Sequence, residues 1–273
     1  MDRVQPLKKF GQNYLKDKNI LLKIVEEINP KEDDVLIEIG PGLGALTREL
    51  SARISTFTAI EIDKRVCEDL KSEFSNLTLL NDDFLKIDLL PLFGEKNKKL
   101  RIVGNIPYNI TSPIIFKLIE NVSIVEDAVF MIQHEVAKRF TAEKGTKDYG
   151  ILAVILQYFA EVKYCFKVSP NVFYPKPKVF SAVVHIYFNT ERQDVIFNKL
   201  FIKVVKACFG NRRKTLKNSL NNSIFGNLDF SLSPVDLSLR AEQLDLDDFI
   251  SLSRYIRNKL ASESNSAENR VDQ

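Results

Sequence analysis

The stretch Val35-Leu36-Ile37-Glu38-Ile39-Gly40-Pro41-Gly42-Leu43-Gly44-Ala45-Leu46-Thr47 passes from a short apolar run through a glycine-rich turn into the start of a helix. Glycines let backbone come close to a ligand, and the first N–H groups of a helix have no partner within it. A dinucleotide site would open the helix with G-x-G-x-x-G, whose N–H groups cradle a pyrophosphate. Here the spacing is G-x-G-x-G, Pro41 sits in the turn, and an acid, Glu38, lies inside the strand. That pattern fits S-adenosylmethionine, which has no phosphate to hold, better than a dinucleotide. The next apolar run, Phe57-Thr58-Ala59-Ile60, ends in Glu61, seventeen residues beyond Gly44. A carboxylate there can accept both hydroxyls of a ribose, as in other doubly wound nucleoside sites; the plainer reading is a solvated strand-end acid. Asp63 reads as the N-cap of a helix over Lys64–Phe74.

Outward from this unit, strand-like runs alternate with amphipathic ones. Asn19–Ile28 reads as a helix, Leu77–Leu80, Arg101–Val103 and Ala128–Ile132 as strands, and Ser112–Glu120 as a helix between the last two. Alternation of this kind predicts an α/β fold with a parallel sheet covered on both faces. Gly40, Glu61, Asp83 and Asn105 all fall at carboxyl ends of strands, the rim where such sheets bind ligands. Glu161–Val168 and Ala182–Phe188 flank a proline-rich loop and read as an antiparallel pair. After Asn189 the pattern changes to short helices: Val195–Phe209, Lys214–Asn221, Pro234–Leu237 and Leu246–Asn258. The expected organisation is an α/β domain over 1–189, a small helical domain over 190–260, and a disordered tail over 261–273, where apolar periodicity ends.

Asn105-Ile106-Pro107-Tyr108-Asn109-Ile110-Thr111 follows one of the buried strands. This pattern suits an adenine amine, whose nitrogen is a poor nucleophile because its lone pair is delocalised into the ring. The Asn105 side-chain oxygen and the Pro107 carbonyl could accept its two hydrogens, and the Tyr108 ring could stack on the base. Taken alone, N-x-P-Y reads equally well as a strand end with a turn.

Composition sets bounds. The 273 residues, 45% of them apolar, suffice for one large domain and one small one. No apolar stretch approaches a membrane span, and Met1-Asp2-Arg3-Val4-Gln5-Pro6 has no apolar core of an export signal. A cytoplasmic protein with no membrane partner is expected. Cys67, Cys165 and Cys208 are widely spaced and only His134 and His185 accompany them, which argues for a reduced compartment and against a metal site. The net charge of +3 is too small to argue for nucleic acid. Its distribution says more: Arg212, Arg213, Lys214 and Lys217 cluster, with Lys203 and Lys206 upstream. Arg3, Lys8, Lys9, Lys138 and Arg139 could extend the same face, although charge runs are often ordinary solvated surface. The polar Glu143–Asp148 stretch reads as a mobile loop.

From about Lys8 to Leu252 the chain resembles the ribosomal RNA adenine N6,N6-dimethyltransferases. The resemblance rests on Lys8-Lys9-Phe10-Gly11-Gln12-Asn13-Tyr14-Leu15, the Glu38–Thr47 loop, Ala59–Asp63, Asn105–Thr111, Gln133–Ala137, Pro175–Val184 and Arg212–Leu216, in that order. It implies a Rossmann-like class I methyltransferase sheet of strand order 3-2-1-4-5-7-6, last strand antiparallel, with a small C-terminal helical domain. It further implies dimethylation of two adjacent adenosines in the 3′-terminal hairpin of small-subunit rRNA, S-adenosylmethionine as cofactor, and a monomer acting on a partly assembled 30S particle. Gln12, Asn13 and Leu15 would cover the methionine end of the cofactor, beside Gly40, Gly42, Glu61 and Asn105. Asp83, or its neighbour Asp82, would meet the cofactor's adenine. Phe173 would pack on the target base opposite Tyr108, and Arg212, Arg213, Lys214 and Lys217 would contact RNA. The chain carries Tyr14 where many relatives have Phe, Ile106 for Leu, His134 for Lys and Phe180 for an acid. A large-subunit methyltransferase of the macrolide-resistance type, or an assembly factor acting mainly by binding, are the alternatives.

Overall fold

The structure, a computed structural model, describes residues 5–7, 11–94 and 98–271; Arg3, Lys8 and Lys9 lie outside the described residues. Seven strands form one sheet: β1 Val35–Ile39, β2 Phe57–Ile60, β3 Leu77–Leu80, β4 Leu100–Asn105, β5 Val125–Gln133, β6 Ala160–Val168 and β7 Ser181–Phe188. Their order is β3-β2-β1-β4-β5-β7-β6. The first five are mutually parallel, and β7 runs antiparallel to both β5 and β6. This is the topology the resemblance implied. β1 is buried along almost its whole length, Glu38 included, and the Ala128–Ile132 part of β5 reads as an apolar run because both of its faces are buried. On one face, Leu21, Ile24, Val25 and Ile28 of α1 (Lys18–Ile28) and Leu46 and Leu50 of α2 (Ala45–Ser51) pack with Leu36, Val103, Val129 and Met131. Asp17 caps α1 by accepting the N–H groups of Asn19 and Ile20. Val66 and Leu70 of α3 (Lys64–Glu73) pack with Phe74, Leu77 and Leu79. The short α4 (Leu90–Gly94) precedes β4, and α5 (Thr111–Glu120) buries Ile114, Ile115, Leu118 and Ile119. Gly104 is required at the β4 end, since a Cβ there would lie 2.6 Å from the Ile39 carbonyl oxygen.

A charged network staples the other end of the sheet. Arg101 donates to both Asp127 oxygens (2.9 and 2.7 Å), to Asp34 (2.6 Å) and to the Ile28 carbonyl (2.7 Å). The buried His185 ring lies 2.8 Å from Asp127 through Nε2 and 2.8 Å from Glu27 through Nδ1, and Lys163 donates to Glu27 at 2.8 Å. Four strands and α1 are thereby tied together at the edge opposite the ligand rim.

The chain divides into two compact units: Met1–Lys138 with Phe159–Glu191, and Arg139–Tyr158 with Arg192–Gln273. The second therefore takes in 139–158, which the sequence reading placed in the α/β domain. Helix α6 (His134–Phe140) leads into this segment, and α7 (Ile151–Phe159) makes up its last part. The helix α7 was not among the expected elements; apolar nearly all round, it has no polar face to mark its period. The second unit holds α8 (Val195–Cys208), α9 (Leu216–Asn221) and α10 (Leu246–Val271), and Phe209, just past α8, stacks on Phe249 of α10 with centroids 5.8 Å apart. Two expectations are corrected here. The backbone of α10 stays helical to Val271, through most of the segment read as a disordered tail. Pro234–Leu237 forms turns, because the Ser233 hydroxyl bonds the Val235 carbonyl and Asp236 accepts the Ser238 N–H, competing with a helix. The Glu143–Asp148 loop is tethered within this unit, Gly145 N–H donating to the Glu242 carbonyl at 2.8 Å and Lys144 pairing with Asp245.

Candidate active site

The rim of the parallel strands borders a cavity of about 790 Å³, reached by Gln12, Gly40, Glu61, Asp83, and Asn105 with Tyr108, from five separate segments. The Gly40 N–H continues the ladder to the Ile60 carbonyl, so β1 and β2 stay paired up to the turn. Gly42, at φ 57°, gives its N–H to Glu61 Oε2 at 3.0 Å, and Asp63 N–H donates to Oε1 at 2.8 Å. The glycine loop thus holds Glu61 in place, and this buried carboxylate is no solvated strand-end acid. Burial raises its pKa in spite of those two bonds. A Cβ on Gly42 would lie 2.9 Å from the Tyr14 ring, so the close approach needs glycine. Glu38 is buried beside the loop; burial pushes its carboxyl up to about 8 against the hydrogen bond from Thr47 (2.8 Å), and it is a neutral acid at pH 7.

The N-terminal segment is latched by Asp63. Besides capping α3, Asp63 receives a two-pronged bond from Arg65 (2.9 and 2.6 Å) and one from Gln12 Nε2 (3.0 Å), and Arg65 holds its carboxyl down at about 2. Gln12 Oε1 in turn accepts the Leu7 N–H at 2.8 Å. Both ends of the Gln12 side chain are therefore spent on fixing this segment. Asn13 and Leu15 both line the cavity; Asn13 lends its carbonyl to Asn105, and Leu15, largely buried, pairs with Phe173 in a two-residue antiparallel ladder.

Asn105 Nδ2 donates to the Asn13 carbonyl at 2.8 Å, which leaves Oδ1 without a donor among the described residues. The Pro107 carbonyl already closes the turn by accepting the Ile110 N–H at 3.1 Å. The carbonyl of Ile106, which also lines the cavity, accepts no hydrogen bond among the described residues. Tyr108 is half-buried, its hydroxyl 2.8 Å from Ser181 Oγ. Phe173 lies in the hydrophobic core at 5% exposure, away from the position expected of a ring facing a base. Its neighbour Tyr174 lines the cavity at 50% exposure, with the Lys16 amine 4.1 Å from its ring centre. Asp83 is half-buried with Oδ1 on the Leu85 N–H (3.0 Å), and Asp82 is exposed with its carboxylate on the Asp83 N–H (2.6 Å); both line the cavity.

Sequence reasoning missed several lining residues, Tyr174 among them. Ile62, 48% exposed, and Phe84 offer apolar surface; an apolar residue directly after a strand-end acid was the available signal for the first. Tyr14 was noted only as a departure, yet its hydroxyl is buried without a hydrogen-bond partner among the described residues. Burial and the nearby Asp63 and Glu61 charges push that phenol up to about 12.

In the second unit, Arg212 donates to the carbonyls of Lys147 (3.1 Å) and Tyr149 (2.9 Å) and faces Glu242. It is a brace for the 147–149 turn. Arg213, Lys214 and Lys217 are exposed and form no ion pair among the described residues.

The family model for ribosomal RNA adenine dimethylases matches residues 5–258. The chain belongs to this family. A protein named ribosomal RNA small subunit methyltransferase A from Chlorobium phaeobacteroides is 47% identical, with 93% of each chain covered. One of the same name from Francisella tularensis subsp. novicida is 42% identical over 91% of this chain and 97% of its own. Among solved structures, a dimethyladenosine transferase from Plasmodium falciparum matches with TM-score 0.74 and 28% identity, over 90% of this chain and 98% of its own. The 23S rRNA methyltransferase ErmE matches with TM-score 0.64 and 27% identity, over 89% and 99%. Membership makes the chain a methyltransferase and its rim the candidate active site. Among the described residues no helix is long and apolar enough to cross a membrane, and no group of His, Cys, Asp and Glu could hold a metal ion.

Proposed function

We propose that this dimethylase transfers methyl groups from S-adenosylmethionine to N6 of two adjacent adenosines in the 3′-terminal hairpin of small-subunit rRNA, as a monomer, during 30S assembly. The carrying observation is Asn105, its amide nitrogen committed to the Asn13 carbonyl and its oxygen left for an amine hydrogen. The cavity suits S-adenosylmethionine: a carboxylate held by two backbone N–H groups for the ribose, and apolar Ile62 and Phe84 for an adenine. When bound, that cofactor supplies a methyl group on a sulfonium, a strongly activated donor. Asn105 Oδ1 and the Ile106 carbonyl accept the two amine hydrogens and hold the nitrogen lone pair toward the donor, and the Tyr108 ring supports the base. The Ile106 carbonyl takes the part that sequence alone gave to Pro107. No side chain need act as base, because the proton can leave to water once the new N–C bond makes the nitrogen acidic. The target adenine must be unpaired to reach the site. Mapping methylated rRNA positions in cells with and without the gene tests the reading; large-subunit modification would replace it with the ErmE-like alternative, and unchanged maps would leave a binding role.

Two further results are expected. Glu61→Ala removes charge-assisted hydrogen bonds worth about 1.5–3 kcal/mol, so calorimetry should show roughly 10- to 100-fold weaker S-adenosylmethionine binding. Parental affinity in a folded variant would reject the ribose assignment. Replacing Arg213 and Lys214 with Ala should flatten the dependence of log affinity for rRNA on log salt by about 0.7–0.9 per lost contact. An unaltered slope would mean that the exposed cluster is ordinary surface; Arg212, as a brace, is left intact in this test.

A further inference from the structure

The segment that leads from the proline-rich loop into β7 sets an exposed aromatic ring, Phe180, beside the site. Phe180 is 45% exposed, and the Lys167 amine of β6 stands 3.9 Å from the centre of its ring. The Phe180 carbonyl accepts the His134 N–H at 2.9 Å, and the His134 ring meets the exposed Tyr164 edge-on with centroids 6.0 Å apart. Burial and the positive charges of Lys167 and Lys138 lower the pKa of His134. Lys176 and Lys178 are exposed in the adjoining loop. One residue after Phe180, Ser181 touches the Tyr108 hydroxyl at 2.8 Å. Exposed rings interleaved with lysines thus begin one residue from the partner of the proposed base-stacking tyrosine.

We propose that Phe180 and Lys167 form a platform for one unpaired nucleotide next to the target adenosine, the ring stacking on its base and the lysine meeting its phosphate. The inference rests on the reading that the substrate base is an adenine in RNA. Bases stack on aromatic faces regardless of sequence, and a neighbouring ammonium is complementary to the adjoining phosphate. The ring does no chemistry, so its effect belongs in RNA engagement.

The test measures methyl transfer to unmethylated small-subunit particles by the full chain. Phe180→Ala should raise KM for the particle on the order of 10-fold, leave kcat within about two-fold, and leave S-adenosylmethionine affinity unchanged. Phe180→Trp should restore the parental KM, and Lys167→Ala should lower the salt slope by about 0.7–0.9. A parental KM for Phe180→Ala, or full rescue by Phe180→Leu, would overturn the platform, the second because apolar bulk without a ring would then suffice. Failure of the parent chain itself to methylate the particle would instead remove the functional reading on which the platform stands.

Discussion

Asn105→Ala is expected to slow single-turnover methyl transfer about 10²–10³-fold while S-adenosylmethionine still binds within a few-fold of the parent. The size follows from what the side chain does at the reacting nitrogen. An adenine amine shares its lone pair with the ring, and attack requires that nitrogen to become pyramidal. An acceptor fixed before the reaction favours this geometry without reorganising, which is where a preorganised hydrogen bond exceeds its worth in water. Asn105 meets the requirement through one bond, from Nδ2 to the Asn13 carbonyl at 2.8 Å. Alanine removes acceptor and anchor together. Rapid-quench measurement with saturating cofactor isolates the step, and a rate equal to the parent's would exclude Asn105 from the chemistry. A loss of cofactor affinity as large as the loss of rate would assign it to binding instead.

Asp127→Ala is expected to lower the unfolding free energy by about 3–5 kcal/mol at pH 7, with the site residues untouched. Asp127 is 4% exposed and is held by Arg101 and His185 together, so its removal strands two buried groups without their shared acceptor. Burial alone would raise its pKa; the hydrogen bonds from His185 and Arg101 outweigh that and hold it below the ordinary carboxylate range. For Glu27, burial acts to raise the pKa, but the hydrogen bonds and charges of Lys163 and His185 together outweigh it, so it is lowered too. A lowered folded-state pKa contributes stability that is complete above the unfolded value of about 4 and is lost as pH falls through the folded one. The gap between parent and variant in urea titrations should therefore shrink from pH 7 to pH 3. A gap under about 1 kcal/mol at pH 7, or one that does not change with pH, would show that the network adds little.

How far the sequence could be read depended on the kind of signal. Strands β1, β2 and β3 were legible to the residue because apolar runs ended at glycine, glutamate or asparagine. The helix α7 was not, since Ile151–Phe159 is buried with almost no polar residue to reveal a period. At the site, residue types and strand ends sufficed to bring Glu61, Asp83 and Asn105 to one rim. Sequence could not tell which ring faces the cavity: Phe173 and Tyr174 are neighbours in a strand, so one pointed into the core obliges the other to point out. Nor could it show that the Pro107 carbonyl and both ends of Gln12 are already occupied, because those bonds depend on a three-residue turn and on Asp63, far away in the chain. Arg212 belongs to the same class, its partners lying at 147, 149 and 242.

The tether on Asn105 has a consequence for which bases the pocket tolerates. A primary amide free to rotate offers either its oxygen or its nitrogen, and so would greet a purine bearing a carbonyl at position six as readily as one bearing an amine. With its nitrogen tied back to Asn13, Asn105 has no such choice. Guanine or hypoxanthine would set oxygen lone pairs against the Asn105 oxygen, with a second clash at the Ile106 carbonyl. Discrimination against these bases would then come from repulsion built into the unliganded pocket, without any extra contact made to adenine.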